Sequence, residues 1–137
     1  MSLPNLDNLV KTGQLKVEPT NELEFSGLLR SGEARLHDAA NSSLAAESQF
    51  DLAYNAAHSL SLAALRWHGY RCNNRYLVFQ VLPHTLGIGP EVWRVLAKCH
   101  DSRNLAEYEG YFEVDEQLLK DLLAATQTLL ARVNSLK

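Results

Sequence analysis

From Phe50 to Leu65 the chain sets Ala53, Ala56, Ala57, Ala63 and Ala64 beside Leu52, Tyr54, Leu60 and Leu62. A helix with small residues on several sides lets neighbours approach closely from more than one direction, so this segment predicts the central helix of a bundle. Ser48 and Asp51 have the spacing of a capping pattern and set its expected start, and Gly69 sets its stop. The remaining segments are read as what packs around it.

Before it, Leu3, Leu6, Leu9 and Val10 recur at helical spacing and end at Thr12-Gly13, which predicts a short opening helix that covers the bundle. Val17 to Asn21 is a break. Asn21 with Glu24 has the form of a capping box and opens a helix running to about Leu44, with Leu28, Leu29, Leu36, Ala39 and Ala40 on one side and Glu33, Arg35 and Asp38 on another. Gly27 and Gly32 are expected to weaken it by about 1 kcal/mol each relative to alanine. After the central helix, Arg71 to Asn74 reads as a connection. The apolar run Arg75–Leu82 has no strand partner elsewhere, so it is a short buried helix ended or kinked by Pro83. Gly87-Ile88-Gly89 is a loop, Pro90 opens the next helix, and Gly110 marks its end. Asp115 is the expected N-cap of a last helix stapled by Val114 and Leu119, whose broad apolar face carries Leu118, Leu122, Leu123, Ala125, Leu129, Leu130 and Val133. The expected fold is all-α, an antiparallel up-and-down bundle of about five helices in a single domain over residues 1–137. Residues 1–19 form its short N-terminal helix and linker, and residues 20–137 the bundle.

Composition narrows the function classes. A chain of 137 residues buries roughly 68% of its unfolded surface, enough for a core without staples. No apolar run approaches the roughly 20 residues of a membrane span, and the N-terminus lacks the pattern of a signal peptide, so a cytoplasmic, non-membrane protein is expected. Cys72 and Cys99 have no metal-ligand spacing and read as ordinary thiols; neither metal nor cofactor is expected. A net charge of -3 argues against a nucleic-acid footprint over the whole surface. Arg66, His68, Arg71 and Arg75 cluster locally and are read as a solvated helix end and loop. Neither an internal repeat nor a Gly-rich phosphate loop is present.

The stretch Cys99-His100-Asp101-Ser102-Arg103-Asn104-Leu105-Ala106-Glu107-Tyr108-Glu109-Gly110-Tyr111 interrupts this scaffold with polar groups. On a helix, Val92, Leu96 and Cys99 form an apolar stripe that Arg103 continues, so a guanidinium is aimed at other protein. It needs a carboxylate, carbonyls or an anion such as phosphate: Glu107 one turn on, a carboxylate of a neighbouring helix, or a ligand. His100, Asn104, Tyr108 and Tyr111 form the adjacent stripe. His58, inside the central helix, is read as a hydrogen-bonded structural histidine.

Arg103-Asn104-x-x-x-Tyr108, near the end of a late helix in a small bundle, resembles the motif of the HEPN superfamily, the higher eukaryote and prokaryote nucleotide-binding domains. The Ala-rich helix ending in an aromatic and basic segment is similar too, and the resemblance covers about Asn21 to Val133. It implies a homodimer in which two motif helices meet at a shared cleft. In members with the complete motif, Arg, a polar residue and then His, that cleft is a metal-independent ribonuclease site. There the Arg steadies the phosphate and the His serves as acid and base. Here Tyr108 stands at the position of that His, and a phenol with a pKa of about 10 is a poor base at neutral pH. The resemblance therefore implies a binding module for a phosphate-bearing ligand, nucleotide or RNA, at Arg103, Asn104 and Tyr111. Its expected partner is a nucleotidyltransferase, or the other half of a toxin-antitoxin pair. An endoribonuclease with a variant site, using Arg103, Asn104, Tyr108 and His100, is one alternative, and a structural interaction protein in which Arg103 is an interface ion pair is another.

Overall fold

A computed structural model describes residues 3–110 and 114–137, with the side chains of Glu107 and Tyr108 left aside. Helix α3 (Ala46–Trp67) runs through its middle, and Ala53, Ala56, Ala57, Leu60, Ala63 and Ala64 on it are fully buried. Around it, in chain order, are α1 (Pro4–Lys11), β1 (Lys16–Val17), α2 (Glu22–Ala39), β2 (Tyr70–Arg71), α4 (Arg75–Gln80), α5 (Leu82–Thr85), α6 (Pro90–Glu109) and α7 (Glu116–Asn134). The all-α expectation holds, with seven helices among the described residues rather than about five, because the short α1, α4 and α5 accompany four long ones. None of these helices is long and apolar enough to cross a membrane.

Helices α2 and α3 form an antiparallel hairpin. Gln49 Nε2 donates to the Ala39 carbonyl (3.0 Å), Ser59 Oγ to the Leu28 carbonyl (2.7 Å), and Arg66 Nε to Glu24 (2.5 Å), so rising numbers on one helix meet falling numbers on the other. Gly32 is buried at this contact, and a Cβ there would fall 2.6 Å from Leu60 Cγ. The glycine expected to weaken α2 thus permits a close approach to α3. The reversal is tighter than expected. Helix α2 ends at Ala39, short of Leu44, where Asn41 Oδ1 accepts from the Ser43 N–H (3.0 Å). Helix α3 begins at Ala46 behind an uncapped Ala45, so Ser48 and Asp51 lie inside it and do not cap it. Helix α7 packs Leu118, Leu119, Leu122, Ala125, Leu129 and Val133 into the same core, its N-terminus capped by Asp115, which accepts from the N–H groups of Gln117 (2.8 Å) and Leu118 (3.4 Å).

The apolar run after Asn74 is helical but divided. Asn74 caps α4 through the Leu77 N–H (3.1 Å). Pro83 lies in the first turn of α5, where a missing N–H costs nothing, so it opens a turn rather than ending one.

The N-terminal segment is integral to the fold. Leu6 and Leu15 are buried with Leu65, Tyr70, Val78 and Val81 in a second apolar cluster. Strand β1 pairs antiparallel with β2, Lys16 opposite Arg71 and Val17 opposite Tyr70. Gly69, at φ 88°, turns the chain from α3 into β2, and its carbonyl accepts from the Glu18 N–H (2.9 Å). Beneath this pair lies Arg66, 1% exposed, whose guanidinium donates to Glu24 Oε1 (2.5 Å) and to the carbonyls of Glu18 (2.9 Å), Pro19 (2.7 Å) and Tyr70 (3.1 Å). Arg71 donates to Glu18 (2.5 Å) and Glu24 (2.6 Å). The basic segment is therefore no solvated helix end: two of its arginines are consumed in a clamp, and His68 bonds the Thr85 carbonyl (2.8 Å). Glu24 makes only half of the expected capping box, since Asn21 accepts from its N–H (3.0 Å) while its carboxylate turns to the arginines.

Candidate functional site

Three helices converge on Tyr54. Asp51, Tyr54, Asn55 and His58 recur at the three- and four-residue spacing that puts them on one face of α3. Arg75, Tyr76 and Phe79 come from α4, and Cys99, His100, Arg103 and Asn104 from α6, which runs antiparallel to α3 so that Asp51 meets Arg103 and Tyr54 meets His100. Arg103 does continue the inward stripe of α6. Its Cζ lies 4.9 Å from the centroid of the Tyr54 ring, and its Nε is 3.4 Å from Asp51 Oδ1. A carboxylate of a neighbouring helix was among its expected partners; Glu107, the other, has a side chain outside the described residues.

His100 is held from both sides. Its Nδ1 lies 2.8 Å from the Tyr54 hydroxyl and its Nε2 3.0 Å from Asn104 Nδ2. With the Asn104 amide nitrogen donating, Nε2 accepts and Nδ1–H donates to the Tyr54 oxygen; the opposite amide orientation suits the imidazolium. The Tyr76 ring completes this wall, 5.4 Å from the His100 ring. Arg75 Cζ lies 5.8 Å from the Tyr54 centroid, and its Nη1 donates to Asn55 Oδ1 (3.3 Å). Of the expected site residues, the structure thus joins His100, Arg103 and Asn104. Tyr108 lies on α6 with its side chain undescribed, and Tyr111 falls outside the described residues.

Burial governs the titrating groups here. It pushes the Tyr54 phenol up despite the opposing pull of Arg75 and Arg103. It drives the Cys99 thiol up to about 12. Burial first, then the charges of Arg75 and Arg103 and the neighbouring His100 ring, lowers His58 to about 4. At neutral pH these three are a phenol, a thiol and a neutral imidazole, and none is a prepared nucleophile. His58 is placed by its edge-on contact with Phe79, ring centroids 6.2 Å apart, and forms no hydrogen bond among the described residues, contrary to expectation. No group of three or more His, Cys, Asp or Glu among them could hold a metal ion.

Sequence reading missed Asp51, Tyr54, Asn55, Arg75 and Tyr76 as members of this cluster. A usable signal existed for α3, where Asp51, Asn55 and His58 draw a polar line along an otherwise apolar helix. Compared with known proteins, the chain matches no family model, no curated protein and no solved structure.

Proposed function

We propose that the chain is a HEPN-like binding module whose Arg103, His100 and Asn104 take a phosphate-bearing ligand, a nucleotide or RNA. In this reading it works as a homodimer, beside a nucleotidyltransferase or as one half of a toxin-antitoxin pair. One observation carries the ligand: Arg103 and Arg75 share a wall with His100 and Asn104, and Asp51, the carboxylate described beside Arg103, has a side chain 59% exposed. An exposed pair at 3.4 Å through one nitrogen is worth about 0–1 kcal/mol, so a phosphate that engages the guanidinium fork bidentately can displace Asp51. The rings of Tyr76 and His100 offer a stacking face for a base. The resemblance of Arg103-Asn104-x-x-x-Tyr108 to the family motif supports the same arginine as the phosphate contact. Leu105, next to Asn104 and 57% exposed, gives α6 apolar surface for a second copy.

The test is fluorescence anisotropy with fluorescein-labelled octa-adenylate and calorimetry with AMP, both in EDTA, on wild type and Arg103→Ala. Wild type binds, and the variant binds about tenfold or more weakly, the loss expected of one charge-assisted contact. No binding by wild type, or equal binding by both, defeats the reading; sedimentation of the same samples reads the dimer.

The position of His100, one turn from Arg103 and held by two hydrogen bonds, favours a second reading, a metal-independent endoribonuclease. Both ring nitrogens are engaged, so the imidazole can accept a substrate proton only after Asn104 leaves Nε2. RNA cleavage in EDTA that both Arg103→Ala and His100→Ala abolish would establish it, and intact RNA would dismiss it.

A further inference from the structure

We propose that Arg75 is a second anion contact, so that the ligand of this site carries two phosphoryl groups; the inference rests on the phosphate-binding reading of the cluster. Four arginines among the described residues are not exposed: Arg66, Arg71, Arg75 and Arg103. Three of them face carboxylates, Arg66 and Arg71 at Glu18 and Glu24, and Arg103 at Asp51. Arg75 has no carboxylate within ion-pair distance among the described residues. Its hydrogen-bond partners there are neutral, the Asn55 amide oxygen at 3.3 Å and the Tyr54 phenol. A guanidinium carries five N–H donors and cannot shed its charge, so a half-buried one whose described partners are all neutral has donors and charge to offer an anion.

The position of Arg75 says what that anion shares with the ligand of Arg103. Both guanidinium carbons lie beside the same Tyr54 ring, at 4.9 and 5.8 Å from its centroid. Each is tethered to α3, Arg103 at Asp51 and Arg75 at Asn55, and those residues are one helical turn apart, about 5–6 Å. Two guanidinium groups anchored a turn apart on α3 can each meet a different phosphoryl group of one molecule. The two phosphoryl groups are joined either by an anhydride, as in a nucleoside diphosphate, or through a sugar, as in successive phosphodiesters.

Calorimetry with AMP, ADP and the dinucleotide pApA on wild type, Arg75→Gln and Arg103→Ala tests this, circular dichroism confirming that each variant is folded. Wild type prefers at least one of the two diphosphorylated probes to AMP by about tenfold, the gain of one further charge-assisted contact. Arg75→Gln brings that ratio to about one, and Arg103→Ala weakens all the probes wild type binds. A preference confined to ADP assigns the anhydride, and one confined to pApA assigns the phosphodiester. A wild type that binds AMP with no preference, or a preference that survives Arg75→Gln, overturns the second contact and leaves the phosphate reading standing. A wild type that binds none of the three overturns both.

Discussion

His58 lies on the face of α3 that carries Tyr54, and its titration belongs to the unfolded chain more than to the folded one. Its folded pKa is about 4 against an ordinary value of 6.5. As pH falls from 6.5 toward 4 the unfolded chain takes up a proton that the folded one refuses, so the contribution is complete above 6.5 and is lost through that window, by at most about 3 kcal/mol. Glu24 acts lower down: Arg71 and Arg66 hold its carboxyl below the usual 4.5, so its contribution disappears only as pH falls past that value. Urea unfolding at pH 7.5 and pH 5 should therefore show a smaller acid loss for His58→Gln than for wild type; parallel losses would contradict the assignment. The inward aim of Arg103 was legible because Cys99, four residues earlier, belongs to an apolar stripe. Arg75 was not, because six residues of helix do not reveal which neighbour they face until α3 and α6 are docked beside them.

At the scale of elements, two glycines of α2 make opposite predictions. A Cβ at Gly27 meets nothing within 4 Å, so Gly27→Ala should stabilise by roughly 0.5–1 kcal/mol through helix propensity alone. A Cβ at Gly32 falls on the branch carbon of Leu60, a fully buried side chain with little room to retreat, so Gly32→Ala should destabilise by about 1–3 kcal/mol. Chemical denaturation of the pair reads both signs, and a stabilising Gly32→Ala would refute the close packing. Propensity treated the two alike, since only the partner helix separates them. The caps at Asn21 and Asp115 and the stop at Gly110, with φ 69°, were readable because a side chain or a left-handed residue does the work locally. The start of α3 was not, because its place is set by Gln49 reaching back to Ala39 and no side-chain cap marks it.

For the molecule as a whole, the clamp around Arg66 decides how the N-terminal segment stays on. Arg66→Ala leaves Glu24 to Arg71 alone and frees three carbonyls, and should cost about 3 kcal/mol or more in urea unfolding, with faster amide exchange at Val17 and Glu18 than elsewhere. A cost below about 1 kcal/mol would mean that the apolar cluster of Leu6 and Leu15 holds the segment unaided. The helical class was legible from periodicity. The β1–β2 pair was not, since two residues carry no period and their partners lie far along the chain.

That pairing also sets an order in time. Leu3 and Asp7 bond Tyr70, Asn5 bonds His84, and Glu18 bonds Arg66 and Arg71. Residues 3–18 are made before residues 66–84 yet have no seat until those follow. At about 5–20 residues per second the nascent arm waits on the order of seconds, with Leu6 and Leu15 exposed near the ribosome. This apolar stretch is thus made well before the residues that close over it.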